Sequence, residues 1–352
     1  MLTTRNIKLF YEDELPPHLH EAVSKYAVGL QERGLPVILS AEHLALLVGV
    51  DGRYLFGAAN NARSYYRTFR LPKKGSGFRV ISEPLPLLKL IQRWILDEVL
   101  SKSVSQKCAN AYISGRSIKS NARLHIGQEK LLKLDVKDFF GSLRIDKVYS
   151  VFFEFGYTSA VSTALAHLCC LDGCLPQGAP TSGALSNLIL RAADDAILNF
   201  CLQRKIRYTR YADDMCFSGA DFDVSDLTDF VEKQMGQLDL KLNATKTRLT
   251  RQSHRQVVTG IVVNRKLTVP RGRRKRIRQE IFYIKKYGLV GHCLRIEESD
   301  PVRLLRRLIG ECTFLNYIHS DNVIDDEDIN ILRALLKEER QLRREMVDPF
   351  LI

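Results

Sequence analysis

The chain has 352 residues, 45% of them hydrophobic, with 53 lysines and arginines against 40 acidic residues and a net charge of +13. At about 150 residues per domain this length holds two or three units around a substantial core, which excludes a small stapled scaffold and a generally disordered chain. A basic surplus of this size suits a polyanionic partner, since cations that neutralise phosphates release condensed counterions.

Residues 1–55 read as a helical packing module. Ala22, Val23, Tyr26, Ala27 and Leu30 recur at helical spacing, and Ser40 suits the N-cap of a second helix carrying Leu44 and Leu47. From residue 65 the pattern turns to short strands about a basic turn spanning 69–81, with Gly75 and Gly77 bracketing a hairpin tip, followed by a helix through Leu88, Ile91, Trp94 and Ile95. Residues 130–140 are predicted as a buried strand marked by Leu131, Leu132, Leu134 and Val136, with Asp135 and Asp138 at its end. Helical residues 145–170 separate it from a hairpin of 205–211 and 215–218, joined through Ala212, Asp213 and Asp214. After Pro270 come Arg271, Arg273, Arg274, Lys275, Arg276 and Arg278, six basic residues in eight, while Ile277, Ile281 and Ile284 keep helical spacing. A basic helical unit therefore begins near 265–270, and 325–346 reads as a last amphipathic helix.

The eight cysteines form no paired CxxC modules and suit reduced thiols of a cytoplasmic protein. The cluster His167, Cys169, Cys170 and Cys174 has the wrong spacing for zinc knuckles and reads as core packing. Glu12, Asp13 and Glu14 interrupt the start of the chain and no long apolar stretch occurs, so neither a signal peptide nor a membrane span is expected.

A single aspartate after an apolar strand often just opens a turn. Here Asp135 ends one strand while Asp213 and Asp214 occupy the tip of another hairpin, flanked by Tyr208, Tyr211 and Phe217. Carboxylates gathered in an apolar sheet repel and take up protons unless divalent cations neutralise them, and all-oxygen donors suit Mg²⁺ or Mn²⁺. Two such ions about 4 Å apart suit nucleotidyl transfer.

Leu134-Asp-Val-Lys-Asp-Phe-Phe140, Leu175-Pro-Gln-Gly-Ala-Pro-Thr-Ser182 and Tyr211-Ala-Asp-Asp214, in that order, resemble the palm motifs of reverse transcriptases. Within that family the chain looks most like bacterial retron reverse transcriptases, because Asn121-Ala-Arg-Leu-His125 matches the retron NAxxH element and Val258-Thr-Gly260 the VTG element. The resemblance implies an α+β right-hand polymerase fold: an N-terminal helical region 1–55, fingers 56–130, an antiparallel palm sheet within 131–265 (with part of the fingers about 145–185) and a helical thumb 266–352.

It also implies roles. Asp135 and Asp213 ligate two Mg²⁺ ions, with Mn²⁺ as a substitute, and Asp214 completes or supports the site. Arg79 with Lys73 or Lys74 binds the incoming triphosphate, Gln177 and Gly178 line the nucleotide pocket, and Asp138, in the Leu134–Phe140 motif, is a further nucleotide-binding residue. Phe140 resembles the steric gate that favours dNTPs, and Lys246, in Leu242-Asn-Ala-Thr-Lys-Thr247, the lysine that assists pyrophosphate departure. Asn121, His125, Val258, Thr259 and Gly260 are RNA-contact candidates, with capping or strand packing as the alternative, and the basic run 271–278 suits a duplex or structured RNA.

The implied partners are a cognate noncoding RNA (msr-msd), its branched msDNA product primed from an internal guanosine 2′-hydroxyl, and a separate effector protein in antiphage defence. Two rivals are another bacterial reverse transcriptase class and a non-catalytic RNA-binding scaffold restraining an effector. One departure stands out: many relatives carry proline where this chain has Gly183.

Overall fold

The computed structural model describes residues 17–73, 75, 77–103, 106–319 and 323–347. Lys74 lies outside the described residues. The chain forms two compact units: one of residues up to Arg116, Lys133–Met215 and Phe222–Thr247, the other of Ser117–Leu132, Cys216–Asp221 and the chain from Arg248 onward.

The first unit opens with helices α1 (Pro17–Glu32), α2 (Ala41–Val48) and α3 (Gly52–Asn60). Ser40 Oγ accepts from His43 N and Asp51 Oδ1 from Arg53 N, which satisfies amides that the first turns of α2 and α3 leave open. Strands β1 (Tyr66–Pro72) and β2 (Phe78–Pro84) pair antiparallel with Leu71 opposite Arg79. Helix α4 (Pro86–Trp94) follows, with proline in its first turn, where a missing N–H costs nothing.

Helix α5 (Ile118–Arg123) belongs to the second unit, and strand β3 (Lys130–Asp135) runs from the second unit into the first. The predicted strand 130–140 is shorter in the structure. It ends at Asp135, because Asp138 takes a left-handed backbone (φ 45°) and starts the helical turn α6 (Phe139–Ser142), which directs Phe140 out of the strand line. Helices α7 (Ile145–Glu154), α8 (Ser159–Cys169), α9 (Ser182–Ile189) and α10 (Arg191–Gln203) lead to the hairpin of β4 (Arg207–Tyr211) and β5 (Asp214–Gly219), and α11 (Val224–Gly236) follows.

Strand β6 (Arg248–Arg251) completes a four-stranded sheet of order β4-β5-β3-β6. The second unit continues with the short hairpin β7 (Val257–Val258) and β8 (Ile261–Val262), then α12 (Arg271–Arg295), α13 (Pro301–Ile318) and α14 (Asp326–Val347). Helix α12 is broken at Gly288, whose left-handed φ of 72° interrupts the helical bonds. Its Ile277, Ile281 and Ile284 pack with Leu304, Leu308, Val258, Ile261, Cys216, Ala122 and Leu131 in one cluster. Burial has selected these residues from three separate stretches of sequence, so the units do not break at a single point in the chain.

Candidate active site

Leu131, Leu132 and Leu134 are buried on both faces of β3, and the strand delivers Asp135, half-buried, at its end. Backbone bonds then gather three segments: Val136 N donates to Asp213 O (3.2 Å), and Asn243 N donates to Asp135 O (2.7 Å). Lys246 Nζ bonds both oxygens of Asp135, at 3.0 and 2.8 Å. The Asp213 carboxyl is held above the ordinary carboxylate range, first by burial and then by the Asp135 charge beside it. Asp214 opens β5 and ion-pairs with Lys133 at 2.9 Å.

The three aspartates are therefore not equivalent. Asp135 and Asp213 form the repelling pair, with a lysine cation against one of them, while Asp214 faces its own counter-charge. Among the described residues no group of three His, Cys, Asp or Glu side chains converges on one point. A pair of oxygen donors that repel and already draw a cation fits Mg²⁺ or Mn²⁺, which take one or two carboxylates and complete their shell with water and phosphate.

Arg210 and Asp194, which hold the turn before Asp213, carry no signal in the sequence. Both side chains are fully buried. Arg210 Nε donates to Asp194 Oδ1 (3.0 Å), and Nη1 donates to Asn187 Oδ1 (3.1 Å) and Ala212 O (3.2 Å), while Tyr208 OH donates to Asp194 Oδ1 (2.8 Å). Burial alone would lower the Arg210 pKa, and the Asp194 carboxylate more than offsets it, so the guanidinium is raised and stays charged. Ala212 takes a left-handed φ of 57°, and the bond to its carbonyl secures that conformation next to Asp213. An arginine in a strand and an aspartate in a helix reveal such a pairing only once the fold brings them together.

The nucleotide-pocket candidates lie in the same unit. Ser82 N donates to Gln177 O at 2.9 Å, laying Gln177 and Gly178 flat along β2. Gly178 has φ 131°, and a Cβ there would come within 2.7 Å of Ser82 O, so only glycine fits. Ser182 Oγ donates to Pro176 O at 2.7 Å and closes the loop behind it. Arg79 and Lys73 are exposed at the end of the β1–β2 hairpin, Asp138 is exposed, and Phe140 is half-buried with its ring 5.2 Å from that of Phe139.

The RNA-contact candidates lie in the second unit, and many are turned inward. Asn121 and His125 are fully buried, and His125 Nδ1 shares a 2.7 Å hydrogen bond with the buried Ser218 hydroxyl. Val258 is buried, Thr259 Oγ1 donates to Ile118 O (3.2 Å), and only Gly260 of that triplet is exposed. The two elements that mark the retron resemblance thus pack together, α5 on the β7–β8 hairpin. In the basic run, Arg273 pairs with Glu311 at 2.6 Å, Arg278 donates to Val323 O at 3.0 Å, and Arg274 has its Nε buried. Arg271, Lys275 and Arg276 are exposed and have no ion-pair partner among the described residues. Lys119, Arg123 and Arg265, not singled out by the sequence, line a cavity of about 390 Å³ with Ile126, Leu267 and Ile318.

Residues 71–270 match the reverse transcriptase (RNA-dependent DNA polymerase) family. The chain is 34% identical over 278 residues to the retron Ec86 reverse transcriptase of Escherichia coli, covering 78% of this chain and 85% of that one. It is 34% identical over 272 residues to the retron Mx65 reverse transcriptase of Myxococcus xanthus, covering 71% of this chain and 64% of that one. Among solved structures, telomerase from Candida albicans aligns with a TM-score of 0.44 and 14% identity, over 77% of this chain and 61% of that one. No helix among the described residues is long and apolar enough to cross a membrane. With a family match over more than half its length and curated relatives at this identity, the chain belongs to the reverse transcriptases and, within them, to the RNA-directed DNA polymerases of bacterial retrons.

Proposed function

We propose that this polymerase copies a cognate structured noncoding RNA (msr-msd) from an internal guanosine 2′-hydroxyl, giving branched RNA–DNA. The observation that carries the catalytic half is the Asp135–Asp213 pair, stitched together through Val136 N and faced by Lys246. Asp135 and Asp213 would hold the divalent ions, two Mg²⁺ on this reading. Such ions supply charge neutralisation at the triphosphate and a more acidic attacking hydroxyl.

The chain's own groups do the rest. Arg79 and Lys73 bind the triphosphate as cations on an exposed hairpin. Gln177 and Gly178 offer a flat backbone surface to the base and sugar, and Phe140 excludes a 2′-hydroxyl from the incoming nucleotide. The primer hydroxyl gives its proton to solvent as its oxygen bonds to the α-phosphorus, the bond from that phosphorus to the α–β bridging oxygen breaks, and the Lys246 ammonium would give a proton to the departing pyrophosphate. Fingers, palm and thumb correspond on this reading to 56–130, 131–265 and 266–352.

The RNA would be gripped through its phosphates by the exposed cations Arg271, Lys275 and Arg276, with Lys119, Arg123 and Arg265 around the cavity beside α5. The burial of Asn121, His125 and Val258 favours a framework role for those side chains beneath that surface. An antiphage role with a separate effector, in the cytoplasm, follows from the retron resemblance.

The test is to purify the protein expressed with its native flanking DNA and run the bound nucleic acid on a denaturing gel, before and after RNase and debranching treatment. A discrete DNA whose mobility shifts on both treatments, absent from an Asp213→Ala, Asp214→Ala control, is expected. Unbranched DNA would remove the self-priming, and RNA without DNA in both samples would overturn the catalytic reading.

A further inference from the structure

Tyr112 stands beside the catalytic group and has no role in the account above. It lies in the loop that runs past the outer edge of β4, a loop pinned at several points. Arg210 N donates to Cys108 O and Asn110 N to Arg210 O, both at 2.8 Å, so residues 108–110 run alongside β4 like a further strand. Asn187 Nδ2 donates to Ala111 O at 2.9 Å, and Arg116 donates to the carbonyls of Gln106 (2.6 Å) and Lys107 (3.1 Å). The next residue, Tyr112, has a left-handed backbone (φ 60°), rare for a bulky side chain, and is 56% exposed. A large aromatic held so firmly, in a costly conformation, with over half its surface bare, is arranged to touch something other than the protein core.

The seat of its ring is Gly183. A Cβ at position 183 would lie 2.3, 2.6 and 2.8 Å from Cγ, Cδ1 and Cδ2 of Tyr112, so the ring rests directly on the glycine backbone. The ring centroid is 6.2 Å from that of Phe140, and the two planes are inclined at 59°. Asp213 and Arg79 are both close enough to act electrostatically on the phenol. The ring thus stands among the reading's metal-binding carboxylate, triphosphate cation and sugar gate.

We propose that Tyr112, seated on Gly183, is a specificity-determining wall of the nucleotide pocket that packs against the nascent nucleotide pair. The ligand chemistry is the flat sugar and base face of a nucleotide, which an aromatic ring covers without reading sequence. That face belongs either to the incoming dNTP or to the templating nucleotide opposite it. The absence of a side chain at 183 is what admits the ring, so the two positions act as one unit. This inference rests on the polymerase reading above.

The experiment is single-nucleotide extension of a primed RNA template by wild type, Tyr112→Ala, Tyr112→Phe, Gly183→Ala and the Tyr112→Ala, Gly183→Ala double variant, with primer–template affinity measured separately. Wild type that makes no DNA would sink the polymerase reading, not this one. Given active wild type, Tyr112→Ala is expected to weaken nucleotide engagement about tenfold. A rise in KM for dNTP at constant primer–template affinity assigns the incoming nucleotide, and the converse assigns the template. Tyr112→Phe should match wild type, because the ring acts and the hydroxyl does not.

Gly183→Ala should reproduce the Tyr112→Ala defect by displacing the ring, and should add nothing in the Tyr112→Ala background, where the space is free. The inference is overturned if Tyr112→Ala changes neither quantity, if Tyr112→Phe falls to the level of alanine, or if Gly183→Ala costs the same in both backgrounds. The double variant keeps the test sound even if Gly183→Ala alone folds poorly.

Discussion

Replacing Asp194 by alanine should be among the most damaging single changes available outside the proposed catalytic residues. It leaves the Arg210 guanidinium fully buried with its principal counter-charge gone, and removes the carboxylate to which the Tyr208 hydroxyl donates at 2.8 Å. Removing one partner of a buried ion pair costs roughly 3–5 kcal/mol, a large part of the 5–15 kcal/mol that stabilises a typical domain. At about 2–4 °C per kcal/mol the melting temperature should fall by roughly 6–20 °C. The informative comparison is the triple variant Asp194→Leu, Tyr208→Phe, Arg210→Met, which removes the charges and the hydroxyl together and should recover part of the loss, since no buried charge is then unpaired although Asn187 Oδ1 and Ala212 O lose the bonds they accept from Arg210. Its kcat should stay low even so, because the Arg210 bond to Ala212 O that holds the turn before Asp213 is absent. Denaturant unfolding and primer extension on the same samples separate the two effects. If Asp194→Ala costs under about 1 kcal/mol, or the triple variant is less stable than the single one, the reasoning about an obligatory buried pair fails.

Further outcomes follow from the other sites. His125→Ala should destabilise the protein by roughly 2–4 kcal/mol, through the lost Ser218 bond and the cavity left behind, while phosphate-driven RNA affinity in the folded fraction stays near wild type; a selective loss of RNA affinity with unchanged melting would argue for direct contact instead. Without divalent metal, Asp213→Asn should melt above wild type, because it relieves a carboxylate whose pKa burial and Asp135 have raised. A group raised in this way stabilises the fold when protonated, and that contribution is lost as pH climbs through its folded pKa. Added Mg²⁺ should raise the melting temperature of wild type and leave Asp213→Asn unmoved, and an equal response from both would remove Asp213 from the metal site. Among the described residues neither ring nitrogen of the buried His292 has a hydrogen-bond partner, and burial lowers its pKa against the opposing pull of Glu280, whose carboxylate stands 4.0 Å from Nε2. The neutral ring favours folding above the ordinary histidine pKa and that contribution is lost as pH falls through the folded one, so His292→Leu should flatten the acid-side decline of melting temperature between pH 7 and 5; identical slopes would refute this.

The family of this protein was legible in one dimension because the motifs that mark it are local. A strand that ends in Asp135, a two-residue acidic turn at Asp213 and Asp214, and a Gln177-Gly178 step each need a particular residue type at a particular short-range position, and such demands leave short, dense motifs. The helical spacing of Ile277, Ile281 and Ile284 likewise announced a buried stripe, and the structure buries all three.

Other features depend on which distant segments meet, and spacing does not encode that. Asp214 is separated from its neighbour by one residue of strand pleat and by the chance of Lys133 across the sheet, which is why three similar aspartates divide into a pair and an outlier. The basic run at 271–278 looks uniform in sequence, yet α12 turns Arg273 toward Glu311 and leaves Arg271, Lys275 and Arg276 to solvent. Arg210 became a buried cation, and Gly183 the seat of an aromatic ring, only through partners 16 and 71 residues away. Local propensity and motif chemistry therefore set what this chain does, while the packing of remote segments, governed by burial and the need to satisfy every buried charge, decided which side chains stand ready to do it.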